Sequence, residues 1–227
     1  KYLNFLPSYY ERVTENLFPG VEKTIFAFTD GDLEGEVPED IIPIQIEHKD
    51  WPRITLERFH TILGAKEQLE KFEHILFLDA DMYVNEEIAF DEIFDDKDFV
   101  GVHHPCHCLK APPHNEPPGS FETNRKSTAY LENAYDFGVY WQGCLWGGKT
   151  QPVIEMMQTI CARIDEDDEN GIVAVWHDET HLNKFLCENF DRVHTLDPSY
   201  AYPECYPNYP YNRKIIHLAK DNSKYHV

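Results

Sequence analysis

Positive charge is scarce in this sequence. Its 227 residues carry 20 Lys plus Arg against 41 Asp plus Glu, a formal net charge of −21. So acidic a chain repels phosphate backbones and anionic membranes unless a basic patch or a bound cation intervenes, which argues against nucleic acid as its main partner. Long hydrophobic runs are also absent, with no stretch of about 18 apolar residues to span a bilayer. The chain begins at Lys1 in an amphipathic segment that lacks a signal-peptide apolar region. Cys106, Cys108, Cys144, Cys161, Cys187 and Cys205 form no C-x-x-C pair. We read them as reduced thiols in a cytoplasmic protein, an upstream anchor being left open. Neither a G-x-G-x-x-G fingerprint nor a P-loop is present.

What remains suits a packed domain. Hydrophobic residues make up 42% and aromatics 14%, too many for a disordered chain, and the length allows a substantial core. Residues 24–30 and 41–46 are short β-prone runs. Thr55 opens a helical pattern reaching about Phe72, with Leu56, Phe59, Ile62, Leu63, Leu69 and Phe72 on one face. Apolar strands follow at 74–79 and 99–103, then an irregular Pro-rich excursion at 105–123. A β-like aromatic run at 139–146 ends in Gly147-Gly148, and Thr150 with Pro152 starts a helix burying Val153, Met156, Ile160 and Ile164. The acidic run 165–169 reads as a solvated loop, a second helix starts near Asp178, and residues 200–211 read as extended coil. Strands alternating with helices predict an α/β fold with a mostly parallel central sheet flanked by helices. Ligands in such sheets lie beyond the C-terminal strand ends, where Asp79 and His103 fall.

Four segments carry chemistry. Asp79-Ala80-Asp81 follows an apolar strand, and two nearby carboxylates suit a hard divalent cation able to bridge nucleotide phosphates, although such a pair also occurs as a plain acidic loop. Trp176-His177-Asp178-Glu179 joins an aromatic face to carboxylates at a helix start. Asp178 there is a candidate cap, and an ionised Glu179 suits an oxocarbenium-like centre as nucleophile or stabiliser. His103-His104-Pro105-Cys106-His107-Cys108, with His114 nearby, has zinc-type ligands without zinc-type spacing. Gln142 and Cys144, in the glycine-interrupted run 140–148, are candidates for a pocket wall.

Together these segments resemble glycosyltransferase family 6, which includes the histo-blood-group A and B transferases, the α1,3-galactosyltransferases and shorter bacterial relatives. The matching residues are Phe28-Thr29-Asp30, Trp51 to Phe59 with Arg58, Asp79-Ala80-Asp81-Met82, Gly101 to Pro105, Ser127 to Tyr130, Gly143 with Gly147-Gly148, and Trp176 to Lys184. The resemblance implies one GT-A catalytic domain over residues 1–227, starting after the family's first strand. It implies retaining transfer of galactose or N-acetylgalactosamine from a UDP-sugar to the 3-hydroxyl of a β-galactoside, expected to be fucosylated, giving an α1,3 linkage. By position, Asp79 and Asp81 would hold Mn2+, or Mg2+, against the UDP pyrophosphate, and Glu179 would be the catalytic carboxylate. Phe28, Arg58, Gln142, Gly143, Cys144, His177, Asp178 and Lys220 would bind the donor, and His104, Trp176 and Glu204 the acceptor. Cys144 is bulkier than glycine and leans the donor choice toward galactose. The family's usual Glu-Arg-Arg appears as Glu122-Thr123-Asn124. Two other readings are a non-catalytic module that binds nucleotide sugar or glycan, and a zinc protein built on residues 103–108.

Overall fold

The computed structural model describes residues 3–33, 37–108, 120–206 and 208–220. Its strands are β1 (Ile25–Thr29), β2 (Ile41–Gln45), β3 (His74–Leu78), β4 (Met82–Val84), β5 (Phe99–His103), β6 (Trp141–Lys149), β7 (Val193–Leu196), β8 (Tyr202–Pro203) and β9 (Ile215–His217). The helices are α1 (Leu6–Asn16), α2 (Arg53–Leu56), α3 (Arg58–Leu63), α4 (Lys66–Leu69), α5 (Phe90–Ile93), α6 (Pro105–Cys108), α7 (Thr150–Glu169) and α8 (His177–Glu188).

The central sheet has the order β3-β6-β5-β7. Strand β6 runs antiparallel to both β3 and β5, while β5 and β7 are parallel. A parallel pair β1-β2 and a mixed ribbon β4-β9-β8 complete an α/β architecture. Side chains alternate across the central sheet as the two-residue strand period requires. Ile75 and Phe77 of β3, Phe99 of β5 and Trp146 of β6 pack with α3, α7 and α8 on one face. Leu76, Leu78, Val100, Val102 and Leu145 pack on the other with α1, β4 and α5. Trp146 stacks on Phe77 at 4.9 Å between ring centroids, and each such buried ring contributes roughly 2–3 kcal/mol by leaving water.

Gly147 and Gly148 lie inside β6, so the strand continues past the end expected at 146. A side chain at Gly148, whose φ is +141°, would strike the Asp98 carbonyl, and one at Gly147 would strike the Ile75 carbonyl. Glycine lets β6 press between β3 and β5 at that point. The pairing of β5 with β6 also shifts register between Gly101 and Val102. Leu145 pairs with Leu78 at the end of β3, and residues 142–144 of β6 run past that end toward the candidate site.

Several expectations need correction. The helix expected from Thr55 to Phe72 is three short ones, because Glu57 and Ala65 leave helical geometry; Thr55 caps nothing and hydrogen-bonds back to the Pro52 carbonyl. Of the expected apolar face, Leu56, Phe59, Ile62 and Leu69 are buried and Leu63 is half-buried, but Phe72, beyond the last helix, is exposed. The acidic run 165–169 is the last stretch of α7 rather than a loop. Its Asp167 is buried and accepts from Ser127 Oγ at 2.5 Å and Thr128 N at 2.7 Å, which ties the 120s segment to the helix. Residues 200–211 are not coil throughout, since β8 forms there, and β9 follows beyond them. Residues 109–119, with His114 and most of the Pro-rich excursion, lie outside the described residues.

Candidate active site

The site forms where β3, β6, α2–α3 and the start of α8 meet. A cavity of about 210 Å³ is lined by Trp51, Thr55, Arg58, Asp79, Gln142, Gly143, Cys144, Trp176, His177, Asp178, Glu179 and His217. It gathers residues far apart in sequence, and nine of them were expected from sequence, eight to bind donor, metal or acceptor and Glu179 as the catalytic carboxylate. Trp51 and Trp176 stand at its mouth, 55% and 51% exposed. Such half-wet aromatic faces suit the apolar side of a sugar ring.

Glu179 is held at both oxygens. Tyr140 donates its hydroxyl to Oε1 at 2.9 Å, and the Gly143 backbone N–H donates to Oε2 at 2.7 Å. A side chain at Gly143 would press on that same oxygen at 3.4 Å, so glycine permits the close approach. Burial pushes the Glu179 carboxyl up; the Gly143 and Tyr140 donors pull it down, Asp178 pushes up and Arg58 pulls down, leaving it at about 7. The first turn of α8 favours the ionised form, but that helix field is smaller than the cost of burial.

His177, the first residue of α8, has φ +53°, a left-handed conformation costing on the order of 1 kcal/mol for a non-glycine residue. Its ring meets Trp51 edge-to-face at 5.1 Å. Asp178 follows and is buried. It does not cap the helix; Thr180 Oγ1 accepts from Trp176 N at 2.9 Å instead. Its carboxyl is raised by burial, lowered by Arg58 and raised by Asp79, ending at about 6.

Arg58 sits between these anions. Its Nε lies 3.2 Å from Asp178 Oδ2, its Nη1 3.6 Å from Asp79 Oδ1, and Nη1 donates to the Gly143 carbonyl at 2.9 Å. The guanidinium also lies over the Phe77 ring at 5.0 Å. Burial opposes its charge, but Asp178, Asp79 and Glu179 outweigh that and hold the proton firmly.

The acidic pair does not continue strand geometry. Met82 N bonds back to Asp79 O at 3.0 Å, a turn that separates the two carboxylates. Asp79 faces the cavity. Asp81 is 1% exposed, with Oδ2 2.5 Å from Lys220 Nζ and 3.4 Å from His217 Nε2. Burial alone would raise the Asp81 carboxyl, but His217 and Lys220 hold it down at about 2, so it is an anion already facing positive charge. Two hard oxygen donors with one held ionised fit a divalent cation chemically.

The other expected residues lie apart from the cavity. Phe28 packs against the core from β1, and Glu204 is exposed, accepting from Ala219 N at 2.7 Å. His104 follows β5, with its ring 6.0 Å from that of Tyr140 and 4.8 Å from that of His107. Among the described residues no group of three or more His, Cys, Asp or Glu is placed to hold a metal ion, and the six cysteines are free.

Six residues at or behind the site were not singled out from sequence as site residues: Trp51 and Thr55 on the cavity wall, and the polar Tyr140, His217, Asn183 and Glu122. Asn183, fully buried, bonds both Trp141 and the Glu179 carbonyl. Glu122 accepts from Thr123 N, Asn124 N and Val175 N at 2.8–2.9 Å, pinning the chain one residue before Trp176. For the last four the signal was a polar residue inside an apolar or motif-bearing segment.

A family model for glycosyltransferase family 6 matches residues 1–227. The chain belongs to glycosyltransferase family 6. Its α/β architecture is the GT-A fold. Family 6 relatives include the O-antigen biosynthesis glycosyltransferase WbnI of Escherichia coli, 27% identical over all of this chain and 93% of that one. The globoside alpha-1,3-N-acetylgalactosaminyltransferase 1 of Homo sapiens is 29% identical, covering 96% of this chain but 62% of its own length. The histo-blood group ABO system transferase 2 of Rattus norvegicus is 25% identical over 90% of this chain and 61% of its own length. Membership makes the chain a hexosyltransferase, with a nucleotide-sugar donor and a glycan acceptor. No helix among the described residues is long and apolar enough to cross a membrane.

Proposed function

We propose that the chain transfers galactose or N-acetylgalactosamine from a UDP-sugar, with retention, to the 3-hydroxyl of a β-galactoside, using a divalent cation at Asp79 and Asp81. The observation that carries this reading is the Glu179 carboxylate, fixed by Tyr140 and Gly143 on a cavity wall beside Arg58 and Asp79. The activities for which the relatives are named, an α1,3-N-acetylgalactosaminyltransferase among them, support it.

In this scheme the bond between the anomeric carbon and the UDP oxygen breaks, and a bond to the acceptor oxygen forms on the same face. Glu179, prevented from rotating by its two donors, sets an anion beside the carbon that becomes electron-poor. Arg58 pairs with both Asp178 and Asp79 and holds them in place. The rings of Trp51 and Trp176 hold sugar faces and exclude water at the mouth. Mn2+ or Mg2+, held by Asp79 and Asp81, would supply Lewis-acid charge against the departing pyrophosphate. Lys220, paired with Asp81 in this structure, is a cation placed to take up a phosphate when that pair opens.

The test is UDP release from a panel of UDP-sugars, with Mn2+ or with EDTA, with and without β-galactoside and 2-fucosyl-galactoside acceptors. Release from UDP-galactose or UDP-N-acetylgalactosamine that needs Mn2+ and rises with one acceptor is expected. Activity persisting in EDTA removes the metal role from Asp79 and Asp81. Donor binding without any turnover leaves a binding module.

A further inference from the structure

Strand β9, which the sequence pattern did not disclose, brings one imidazole into the site from the far end of the chain. His217 lines the cavity together with Gln142, Gly143 and Glu179. Its Nδ1 lies 3.2 Å from Gln142 Nε2, and its Nε2 lies 3.4 Å from Asp81 Oδ2. The two contacts fix each other. If Nδ1 accepts from the Gln142 amide, the ring proton sits on Nε2 and faces the Asp81 carboxylate. The Gln142 amide is then oriented with Oε1 buried and without a hydrogen-bond partner among the described residues. A buried amide oxygen of that kind is sensitive to any neighbouring N–H or O–H, because an unmet acceptor costs about 1–3 kcal/mol.

Gln142 directly precedes Gly143, whose N–H holds Glu179. A sugar seated with its anomeric carbon against Glu179 therefore lies against Gln142. Asp81, on the other side of the imidazole, is the carboxylate assigned above to the cation. We infer that His217 is a positioning residue that orients Gln142 toward the donor sugar and Asp81 toward the cation, so that donor choice and cation binding pass through one ring. The inference rests on the donor and metal reading proposed above and adds to it a residue from a different part of the chain.

Side chains that reproduce one half of the imidazole separate the two duties. His217→Asn keeps an acceptor at the Nδ1 position and loses the reach to Asp81. His217→Gln keeps a donor at the Nε2 position and loses the acceptor for Gln142. His217→Phe fills the space and loses both. The measurements are calorimetric affinities for UDP-galactose and UDP-N-acetylgalactosamine, and Mn2+ binding followed by loss of the free-ion paramagnetic resonance signal. A thermal unfolding scan on each variant confirms folding, and none of these readouts requires turnover.

The expected pattern is crossed. Asn keeps the ratio of the two donor affinities within about two-fold while weakening Mn2+ by about ten-fold; Gln keeps Mn2+ and moves the donor ratio by about ten-fold; Phe moves both. A residue that merely packs would make Asn and Gln behave alike, and that result overturns the inference. Wild-type protein that binds donor and Mn2+, with folded variants that move neither, overturns it while leaving the transferase reading intact. Wild-type protein that binds no UDP-sugar overturns both.

Discussion

Asn183 grips Trp141 twice. The Trp141 N–H donates to Asn183 Oδ1 at 2.7 Å, and Asn183 Nδ2 donates to the Trp141 carbonyl at 2.7 Å. This pair joins α8 to the start of β6, and the same Nδ2 bonds the Glu179 carbonyl at 2.9 Å. The Glu179 carboxylate and the Gly143 N–H that holds it belong to these two elements, and one buried amide ties the two together.

Replacing Asn183 with Leu leaves the Trp141 N–H and carbonyl without that partner inside the core. The expected cost is about 2–4 kcal/mol of unfolding free energy, read from urea midpoints at constant slope. A loss within experimental error would mean that Trp141 finds other partners and that the amide does not hold α8 on β6.

Tyr140 stabilises the charged form of Glu179 by donating to Oε1. Turnover that needs the carboxylate ionised rises with pH through about 7, where burial leaves this group. Tyr140→Phe removes a donor to the anion, so the Glu179 carboxyl rises and the acidic limb of kcat/KM against pH moves to higher pH. A limb that stays in place, or moves down, contradicts this assignment.

His181 is buried against Asp167, with both ring nitrogens lacking a hydrogen-bond partner among the described residues. Burial lowers it from 6.5 to about 4, Asp167 opposing and Arg163 adding to the fall. The unfolded chain therefore binds more protons between those values, and stability from this group is lost as pH falls from about 6.5 toward 4. Wild type minus His181→Phe should show a slope approaching about 1.4 kcal/mol per pH unit across that window in urea unfolding. Taking the difference cancels the opposite contributions of Asp178 and Glu179, whose raised values favour the folded state at lower pH.

Much of the site was legible in sequence because its elements are local. An apolar run ending at Asp79 places that carboxylate at a strand end, and residues 176–184 hold an aromatic, two carboxylates and Asn183 in one helix start. Periodicity likewise found the buried faces of α3 and α7. What it could not sense was the break at Glu57 and Ala65, since a short kink leaves the same side chains inward. The run 165–169 looked like a solvated loop because its composition is acidic; only Ser127 and Thr128, some 40 residues earlier, make Asp167 a buried acceptor. His217 was illegible for a similar reason, and Lys220 was named only through the family resemblance. Both reach Asp81 through the pairing of β4 with β9, a contact between distant segments that no local pattern encodes.

The central claim is that a family 6 sugar transfer is performed at Glu179. The most direct measurement compares wild type with Glu179→Gln for UDP release and for UDP-sugar affinity under the same Mn2+ concentration. Turnover lower by about a thousand-fold with donor affinity unchanged is the predicted result, since Gln keeps the shape and loses the charge. Equal turnover in the two proteins would contradict it and move the chemistry away from this carboxylate.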